Sequence, residues 1–291
     1  MSNFEHLLHP ELLETIPATG KTIAERLNEQ AGNYAAADSR SLPRISFVIR
    51  TMNEGAQFEQ LMDDITALEY PTSPEIIVLD NESTDHTPEI ARAAGASVVV
   101  YPREEFSYAR SLNLAMTEAS YSNVFLTVGH ALPSSTQLLV AAGTQLSNSD
   151  VAGVFARTYP GQNASRVERV AAIGNVMYME PAHPSKKQKP LALNLGLFAA
   201  QNVGVSYEAW KELGGFDERW QSGGEDTDFA LRALAAGLQI IEDPVVGMHH
   251  THGLGPINYA RQWQHWYRTL RGPKQLDMNK LRARRPDLDF S

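Results

Sequence analysis

From Arg44 onwards, short apolar runs alternate with longer segments in which apolar residues recur every three or four positions. The short runs are rich in β-branched residues and predict buried strands at 45–49, 76–79, 97–101, 124–128, 151–155 and 238–241. The periodic segments predict helices near 58–68, 88–94, 107–119, 134–146, 206–213 and 226–236. Strands alternating with helices of this length predict an α/β fold, with a mostly parallel central sheet flanked by helices.

Three segments depart from this alternation. Residues 1–43 contain two short predicted helices, at 5–15 and 22–30, and we interpret them as an N-terminal helical extension with a linker. Residues 157–200 are irregular and rich in proline, which is typical of a functional loop or lid. Residues 256–291 predict a C-terminal helical tail with a stripe typical of packing or of a dimer contact, formed by Tyr259, Trp263, Trp266, Tyr267 and Leu270. The main domain is therefore predicted at 44–255.

The composition excludes several classes of protein and of site. A net charge of −9 argues against a nucleic-acid partner, because phosphate binding needs clustered Lys and Arg. The absence of cysteine excludes disulfides, thiolate catalysis and Cys-ligated zinc. No apolar run approaches ~18 residues, and residues 1–11 lack a signal-peptide pattern. We therefore expect a soluble, cytoplasmic protein without a transmembrane segment.

The predicted strand at 76–79 ends in a polar turn that reads Asp-Asn-Glu-Ser-Thr-Asp, followed by Thr87-Pro88 at a helix start. Open α/β sheets bind ligands where a strand leads into a helix at its carboxyl end. Asp80 at the strand tip is suited to accept hydrogen bonds from a ribose or a base. The alternative is an ordinary turn between a strand and a helix, in which Ser83, Thr84 and Asp85 only order the chain.

Several motifs in order resemble the family-2 type glycosyltransferases, which have the nucleotide-sugar-binding GT-A fold. They are Arg50-Thr-Met-Asn-Glu54, Asp80-Asn81-Glu-Ser-Thr-Asp85, Tyr108-Ala-Arg110-Ser-Leu-Asn113, Gly224-Glu225-Asp226-Thr-Asp228 and His250-Thr-His252. The resemblance spans about 44–252 and implies a GT-A domain. It also implies a donor site for a nucleoside diphosphate sugar, formed by Arg50, Thr51, Glu54, Asp80, Asn81, Arg110 and Asn113. An Arg at position 110 can pair with phosphate oxygens or form a structural salt bridge.

The sequence departs from the family at 125–133, where Gly129 and His130 stand in place of the usual Asp-x-Asp metal motif. The resemblance still implies a divalent ion, Mn²⁺ or Mg²⁺, which His130 and His250 would hold against the donor diphosphate. Imidazole is a less characteristic ligand for Mn²⁺ than carboxylate and favours other transition ions. In the alternative, both histidines are neutral hydrogen-bonding groups, and Arg, Lys and backbone donors hold the diphosphate.

The acidic motif begins a predicted helix, where acids are common as partners of the helix dipole. The resemblance gives Asp226 a further role as the general base that takes the proton of the acceptor hydroxyl, supported by Glu225 or Asp228. It also implies an acceptor site lined by Arg157, Asn202, Trp220 and Glu225. For Trp220, stacking on a sugar and packing in the core are equally compatible with the sequence.

The resemblance therefore implies a glycosyltransferase that transfers a sugar from a nucleoside diphosphate to a hydroxyl acceptor, with inversion. The acceptor would be a glycan, a lipid-linked sugar or a small molecule, and the protein is a candidate homo-oligomer. Three alternatives remain: a transferase that retains configuration, a nucleotide-sugar binding protein without activity, and a nucleotidyltransferase. The intact acidic motif argues against the second, and the lack of a Gly-rich phosphate loop at 50–55 argues against the third.

Overall fold

A mixed eight-stranded sheet forms the centre of the computed structural model, which describes residues 23–36, 41–161, 163–177, 181–184, 198–220 and 222–269. The strands in chain order are β1 Ile45–Thr51, β2 Glu75–Asp80, β3 Ser97–Val100, β4 Asn123–Val128, β5 Leu132–Pro133, β6 Val151–Phe155, β7 His183–Pro184, β8 Asn202–Ser206, β9 Gln239–Glu242 and β10 Met248–His249. The helices are α1 Ile23–Ala35, α2 Ala56–Thr66, α3 Thr87–Ala93, α4 Tyr108–Glu118, α5 Leu138–Leu146, α6 Arg166–Met177, α7 Tyr207–Glu212, α8 Glu225–Ala235 and α9 Pro256–Thr269. Short 3-10 turns lie at Arg103–Glu105 and Pro244–Val246.

The spatial order of the sheet is β3-β2-β1-β4-β8-β6-β9-β7. Strands β1 to β4 run parallel to one another, and β9 runs parallel to β6. Strand β8 is antiparallel to both of its neighbours, the two-residue β7 is antiparallel to β9, and β5 pairs with β10 in a separate ribbon. The predicted α/β fold with a mostly parallel sheet flanked by helices is confirmed.

The sheet separates two hydrophobic clusters, because successive residues of a strand face opposite sides. Phe47 and Ile49 of β1 face one cluster with α2, α3 and α5, and the rings of Phe47 and Phe125 stack with centroids 5.2 Å apart. Val48 faces the other cluster, which includes side chains of α4, α7 and α8. Strands covered on both faces read as continuous apolar runs, which explains why β1, β2 and β4 were predictable.

Strand β8 and helix α6 are among the elements that differ from the prediction. Strand β8 was not predicted, because Asn202 and Gly204 have low strand propensity. The glycine at 204 is explained by close packing, since a β-carbon there would lie 2.8 Å from a side-chain carbon of Val154. Helix α6 lies in the segment that we predicted to be irregular. It begins with a capping box in which the Ser165 N–H donates to Glu168 Oε2 at 2.8 Å and the Glu168 N–H to Ser165 Oγ at 3.3 Å.

The predicted helix at 134–146 begins only at Leu138, because the preceding residues bind another segment. The Ser134 N–H and hydroxyl both donate to the carbonyl of Gly247, beside the β5–β10 ribbon. These hydrogen bonds join Ser134 to the segment before β10, and residues 134–137 form a bend and a turn instead of the first turn of the predicted helix.

Helix α1 corresponds to the predicted helix at 22–30 and is attached to the sheet domain. The Tyr34 hydroxyl donates to the carboxylate of Asp243, and the Gln145 amide donates to the Tyr34 oxygen at 2.9 Å. The predicted helix at 5–15, residues 185–197 of the predicted loop, and Leu270 of the predicted tail stripe lie outside the described residues. Among the described residues, no helix combines the length and the apolar character needed to cross a bilayer.

Candidate active site

The predicted donor residues gather at the carboxyl ends of β1 and β2. Thr51 and Asp80 are register partners at the ends of these two strands, and both are buried. Asp80 Oδ2 accepts a hydrogen bond from the Ser83 N–H at 2.9 Å, and Oδ1 accepts one from the Thr51 hydroxyl at 3.3 Å. A carboxylate has about four acceptor positions, so Asp80 keeps capacity for a ligand. The orientation of the Asn81 side chain is fixed by a hydrogen bond from its amide to the carbonyl of Tyr101 at 3.2 Å.

The loops after β1 and β2 are joined by hydrogen bonds. Three backbone N–H groups of the first loop donate to side-chain oxygens of the second, namely Asn53 to Ser83 Oγ at 2.8 Å, Glu54 to Thr87 Oγ1 at 3.0 Å and Gly55 to Asp85 Oδ2 at 3.1 Å. The hydroxyl of Thr87 therefore binds Glu54 and does not cap its own helix, whose N-cap residue is His86. These hydrogen bonds hold the two loops together above the strand ends.

Arg50 extends from β1 toward the acidic motif. Its Nη1 donates to Ser111 Oγ at 3.0 Å, and its Nη2 donates to the carbonyl of Ala200 at 3.3 Å. The guanidinium carbon lies 6.0 Å from the ring centroid of Tyr108, within the range of a cation–π contact. Burial raises the pKa of both Glu225 and Asp226, and the charge of Arg50 opposes part of that rise, so Arg50 links the donor strand to the acid pair.

The two residues predicted on α4 are engaged with protein partners. Arg110 Nη2 donates to Glu105 Oε2 at 2.5 Å, in a pair whose two side chains are about half exposed. The amide of Asn113 donates to the Phe216 carbonyl and to Glu218, and its oxygen accepts from the N–H groups of Trp210 and Phe216. All hydrogen-bonding groups of the Asn113 side chain are thus occupied by protein groups, and its place in the donor site stays a prediction.

Three histidines form a cluster beside the ends of β1 and β4. The Nε2 atoms of His130 and His250 lie 3.0 Å apart, and one ring nitrogen from each of His130, His250 and His252 lies within 4.8 Å of the others. The Nδ1 atom of His130 lies 3.0 Å from a carboxylate oxygen of Glu54. The structure thus joins the two predicted metal ligands. It also brings His252, to which the sequence assigned no ligand role, into the same cluster. Glu54, which was predicted to bind the donor, contacts His130 instead.

Burial lowers the pKa of His250 well below its usual range, and the neighbouring imidazoles of His130 and His252 lower it further. The pKa of His252 is also lowered, first by burial and then by His130. Both side chains are therefore held in the neutral form, which is the form of imidazole that binds metal ions.

The acid pair Glu225–Asp226 begins helix α8, after Gly223 and Gly224 in left-handed backbone conformations with φ of 114° and 102°. Asp226 Oδ1 accepts a hydrogen bond from the Thr227 N–H at 2.6 Å, and Oδ2 accepts one from the Ala200 N–H at 3.1 Å. Two backbone donors therefore fix the orientation of this carboxylate.

The three carboxyl groups of this motif differ in their environments. Burial raises the pKa of Glu225 to about 8, with a further rise from the charge of Asp226. Burial also raises the pKa of Asp226, while the N–H groups of Thr227 and Ala200 act in the opposite direction. Asp228 is buried and accepts a hydrogen bond from Arg232 Nε at 2.7 Å, which gives it a structural ion pair.

The predicted acceptor residues have different surroundings. Arg157 forms an ion pair with Glu242, at 2.8 Å between Nε and Oε1. Trp220 packs its ring over Gly224, since a β-carbon on that glycine would lie 2.7 Å from the indole. Asn202 is fully buried inside the sheet and donates to the carbonyl of Ala156 at 2.9 Å. The place of this buried residue in an acceptor site stays a prediction.

Comparison with protein families identifies the chain. The model of "Glycosyl transferase family 2" matches residues 46–166, and that of "Glycosyl transferase family group 2" matches residues 177–285. The chain belongs to the family-2 glycosyltransferases. This glycosyltransferase is 26% identical over 227 residues to Glycosyltransferase AglE of Haloferax volcanii, covering 75% of this chain and 70% of that protein. It is also 26% identical over 239 residues to the O-antigen chain rhamnosyltransferase WbaN of Salmonella anatum, covering 78% and 71%.

Solved structures confirm the GT-A fold of the glycosyltransferase. The mannosyltransferase PcManGT from Pyrobaculum calidifontis, in complex with GDP-Man and Mn²⁺, matches with a TM-score of 0.60 and 20% identity over 90% of this chain and 79% of that one. Glucosyl-3-phosphoglycerate synthase from Mycobacterium tuberculosis, in complex with Mn²⁺, UDP and glucosyl-3-phosphoglycerate, matches with a TM-score of 0.54 and 18% identity over 91% and 84%. At these identities the likeness establishes the fold alone.

Proposed function

We propose that this glycosyltransferase moves a sugar from a nucleoside diphosphate sugar to a hydroxyl acceptor, with inversion at the anomeric carbon and Asp226 as general base. The GDP-Man and UDP complexes of the two similar structures support this class of donor. The observation that carries the proposal is the carboxylate of Asp226, held by one backbone N–H at each oxygen. Each oxygen keeps a lone pair with which it can accept the proton of an acceptor hydroxyl.

In the proposed reaction, the acceptor hydroxyl gives its proton to Asp226 while its oxygen forms a bond to the anomeric carbon. The bond from that carbon to the diphosphate oxygen breaks, and the diphosphate leaves with the electron pair. Attack from the face opposite to the diphosphate inverts the anomeric configuration. Positive charge at Arg50 favours this charge movement, since preorganised cations stabilise a leaving group that becomes more negative.

The neighbouring Glu225 supports the role of Asp226 through its protonation state. With a pKa raised to about 8, Glu225 carries its proton near pH 7. A protonated Glu225 adds no negative charge beside Asp226, and this favours the ionised form of the Asp226 carboxylate. A carboxylate whose own pKa is raised is also a stronger proton acceptor than an ordinary aspartate.

Arg110 and Asp80 would contribute to donor binding. The ion pair of Arg110 with Glu105 is exposed, and pairs of this kind are worth roughly 0–1 kcal/mol, so a diphosphate can compete for the guanidinium. Asp80 would accept a hydrogen bond from the nucleoside with the acceptor positions that Ser83 and Thr51 leave open. Asn81 and Thr51 would shape the floor of this site.

A divalent ion would be held by His130 and His250, and the residues present fit that role. The 3.0 Å between their Nε2 atoms is close to the spacing of two nitrogens that each lie about 2.1 Å from one ion. A bound dication would supply electrostatic stabilisation of the negative charge on the diphosphate.

Calorimetric titration with UDP-, GDP- and dTDP-sugars, followed by NMR of the released sugar, tests the proposal. We expect one donor to bind and to be hydrolysed slowly in the absence of an acceptor, giving a sugar of inverted configuration before it mutarotates. A released sugar of retained configuration would assign a retaining mechanism. A protein that binds the donor but neither transfers nor hydrolyses the sugar would be a nucleotide-sugar binding protein.

A further inference from the structure

The ligand set of the histidine cluster is made of nitrogen atoms. Among the described residues, the groups able to share one ion at this position are the imidazoles of His130, His250 and His252. The carboxylate of Glu54 lies on the far side of His130, at Nδ1, and is not directed at the gap between the rings. The carboxylate of Glu168, next to His252, accepts the backbone N–H groups of Ser165 and His252.

Glu54 determines which nitrogen of His130 faces His250. An ionised carboxylate only accepts hydrogen bonds, so Nδ1 of His130 must carry the proton that it donates to Glu54. In the neutral ring, Nε2 then holds the lone pair and points at Nε2 of His250, 3.0 Å away. A carboxylate that orients a histidine in this way raises its basicity as a metal ligand.

Gly129 makes room for this arrangement. A β-carbon at position 129 would lie 2.6 Å from Cγ of Glu54 and 2.9 Å from Cγ2 of Thr51. Any side chain here would push Glu54 away from His130. Gly129 and His130 stand in place of the usual two carboxylates. His130 provides a ligand, and Gly129 leaves the space that the Glu54 side chain needs to contact His130.

We propose that His130, His250 and His252 form a three-imidazole centre that selects Zn²⁺ or Co²⁺ over Mg²⁺, and that Glu54 is the positioning residue of this centre. Imidazole suits the later transition ions, whereas Mg²⁺ requires oxygen ligands. One ring nitrogen of His252, the exposed member of the cluster, lies within 4.8 Å of those of His130 and His250. The inference rests on the proposed function for its role, because the ion would lie beside the donor diphosphate.

Metal binding to the full-length protein, first stripped with a chelator, tests this centre without any measurement of activity. Titrations with Zn²⁺, Co²⁺, Mn²⁺ and Mg²⁺ should give affinities for Zn²⁺ and Co²⁺ at least about tenfold above that for Mg²⁺. The Co²⁺ protein should show visible ligand-field absorption that titrates to one equivalent. Equal binding of Mg²⁺ and Co²⁺, or no binding of any ion, would overturn the proposal.

Substitutions locate the ligands and the positioning residue. His252→Ala should remove the Co²⁺ absorption, and Glu54→Gln should weaken Co²⁺ binding by about 10- to 100-fold and shift that absorption. The exposed residues His86 and Glu59 provide the matched controls His86→Ala and Glu59→Gln, which should bind Co²⁺ as the wild type does. A His252→Ala variant with wild-type absorption, or a Glu54→Gln variant with affinity within threefold of the wild type, would refute the assigned role.

Donor binding separates this inference from the proposed function. If nucleotide-sugar binding and transfer persist in excess chelator while no ion binds, the transferase stands and the metal centre fails. If the ions bind as expected but no nucleotide sugar does, the proposed function fails and the metal centre stands.

Discussion

Replacement of Asp226 by Asn is the most direct test of the proposed chemistry. The two side chains have nearly the same shape, but an amide oxygen is a far weaker proton acceptor than a carboxylate. Loss of a general base lowers the rate by roughly 10²–10⁴-fold, or about 2.7–5.4 kcal/mol of activation free energy. We therefore expect kcat of Asp226→Asn to fall by that factor. Donor affinity should stay within about threefold, a change below ~1 kcal/mol.

The hydrogen bonds of Asp226 indicate that the variant will fold. An amide oxygen can accept only one of the two N–H groups of Thr227 and Ala200 in the present geometry, and its NH₂ group then faces the other donor. Leaving a buried N–H without a partner costs about 1–3 kcal/mol. The neutral amide also avoids the cost of a buried charge, to which the raised pKa of Asp226 corresponds. The two effects oppose each other, so the free energy of unfolding should change by less than about 3 kcal/mol.

The assay is single-turnover transfer or donor hydrolysis, with thermal unfolding measured on the same preparations. Asp217→Asn is the control, because Asp217 accepts hydrogen bonds from Arg219 in the loop before the motif; its kcat should match that of the wild type. The general-base assignment is refuted if folded Asp226→Asn keeps kcat within threefold of the wild type. Glu225 and Asp228 would then be the next carboxylates to replace.

Three further predictions follow from the same geometry. Between pH 4.5 and 8 the folded protein keeps a proton on Glu225 that the unfolded chain has lost. The free energy of unfolding should therefore decrease as pH rises through this window, by at most about 1.4 kcal/mol per pH unit. Glu225→Gln should remove this contribution, as measured by denaturant unfolding at pH 5.5 and 8.5. Asp80→Ala should weaken donor binding by ~1–3 kcal/mol, or about 5- to 150-fold, in calorimetry. Gly129→Ala should lower the free energy of unfolding by about 1–3 kcal/mol, because its methyl group would overlap Glu54 and Thr51.

Each of these variants has a control on an exposed position. Glu212→Gln should leave the pH dependence of stability unchanged, Asp63→Ala should leave donor affinity unchanged, and Gly255→Ala adds its methyl group in open space. Equal pH slopes for the wild type and Glu225→Gln would contradict the raised pKa of Glu225. Unaltered donor affinity in a folded Asp80→Ala variant would remove Asp80 from the donor site, and a Gly129→Ala variant as stable as the wild type would contradict the close packing at Gly129.

The strands at the centre of the sheet were predictable because burial on both faces leaves an unbroken apolar run, as in β1 and β2. The polar residues that follow those runs were placed correctly at the strand ends, since parallel strands bring their carboxyl ends to one edge. Helix α6 also had a local signal, the Ser165 and Glu168 capping pair, which the abundance of proline around it obscured. Strand β8 had no such signal, because its Asn202 and Gly204 serve packing between neighbouring strands.

The partners of individual side chains were the least predictable part of the site. Asn113 is occupied by Trp210 and Phe216, which lie about a hundred positions away in the chain, and nothing in the local sequence indicates them. The contact of Glu54 with His130 likewise depends on two loops that meet only in the folded sheet. Sequence motifs therefore predicted which residues converge, while the folded structure was needed to determine which of them pair with protein groups.

The contacts of Ala200 have a consequence for how this site tolerates sequence change. Its carbonyl accepts a hydrogen bond from Arg50, and its N–H donates to Asp226, so one peptide segment connects the donor strand with the proposed base. Both bonds involve backbone atoms, which every amino acid except proline supplies. Small residues other than alanine at position 200 therefore preserve the link, and homologous chains can vary in sequence here while the geometry between Arg50 and Asp226 stays the same.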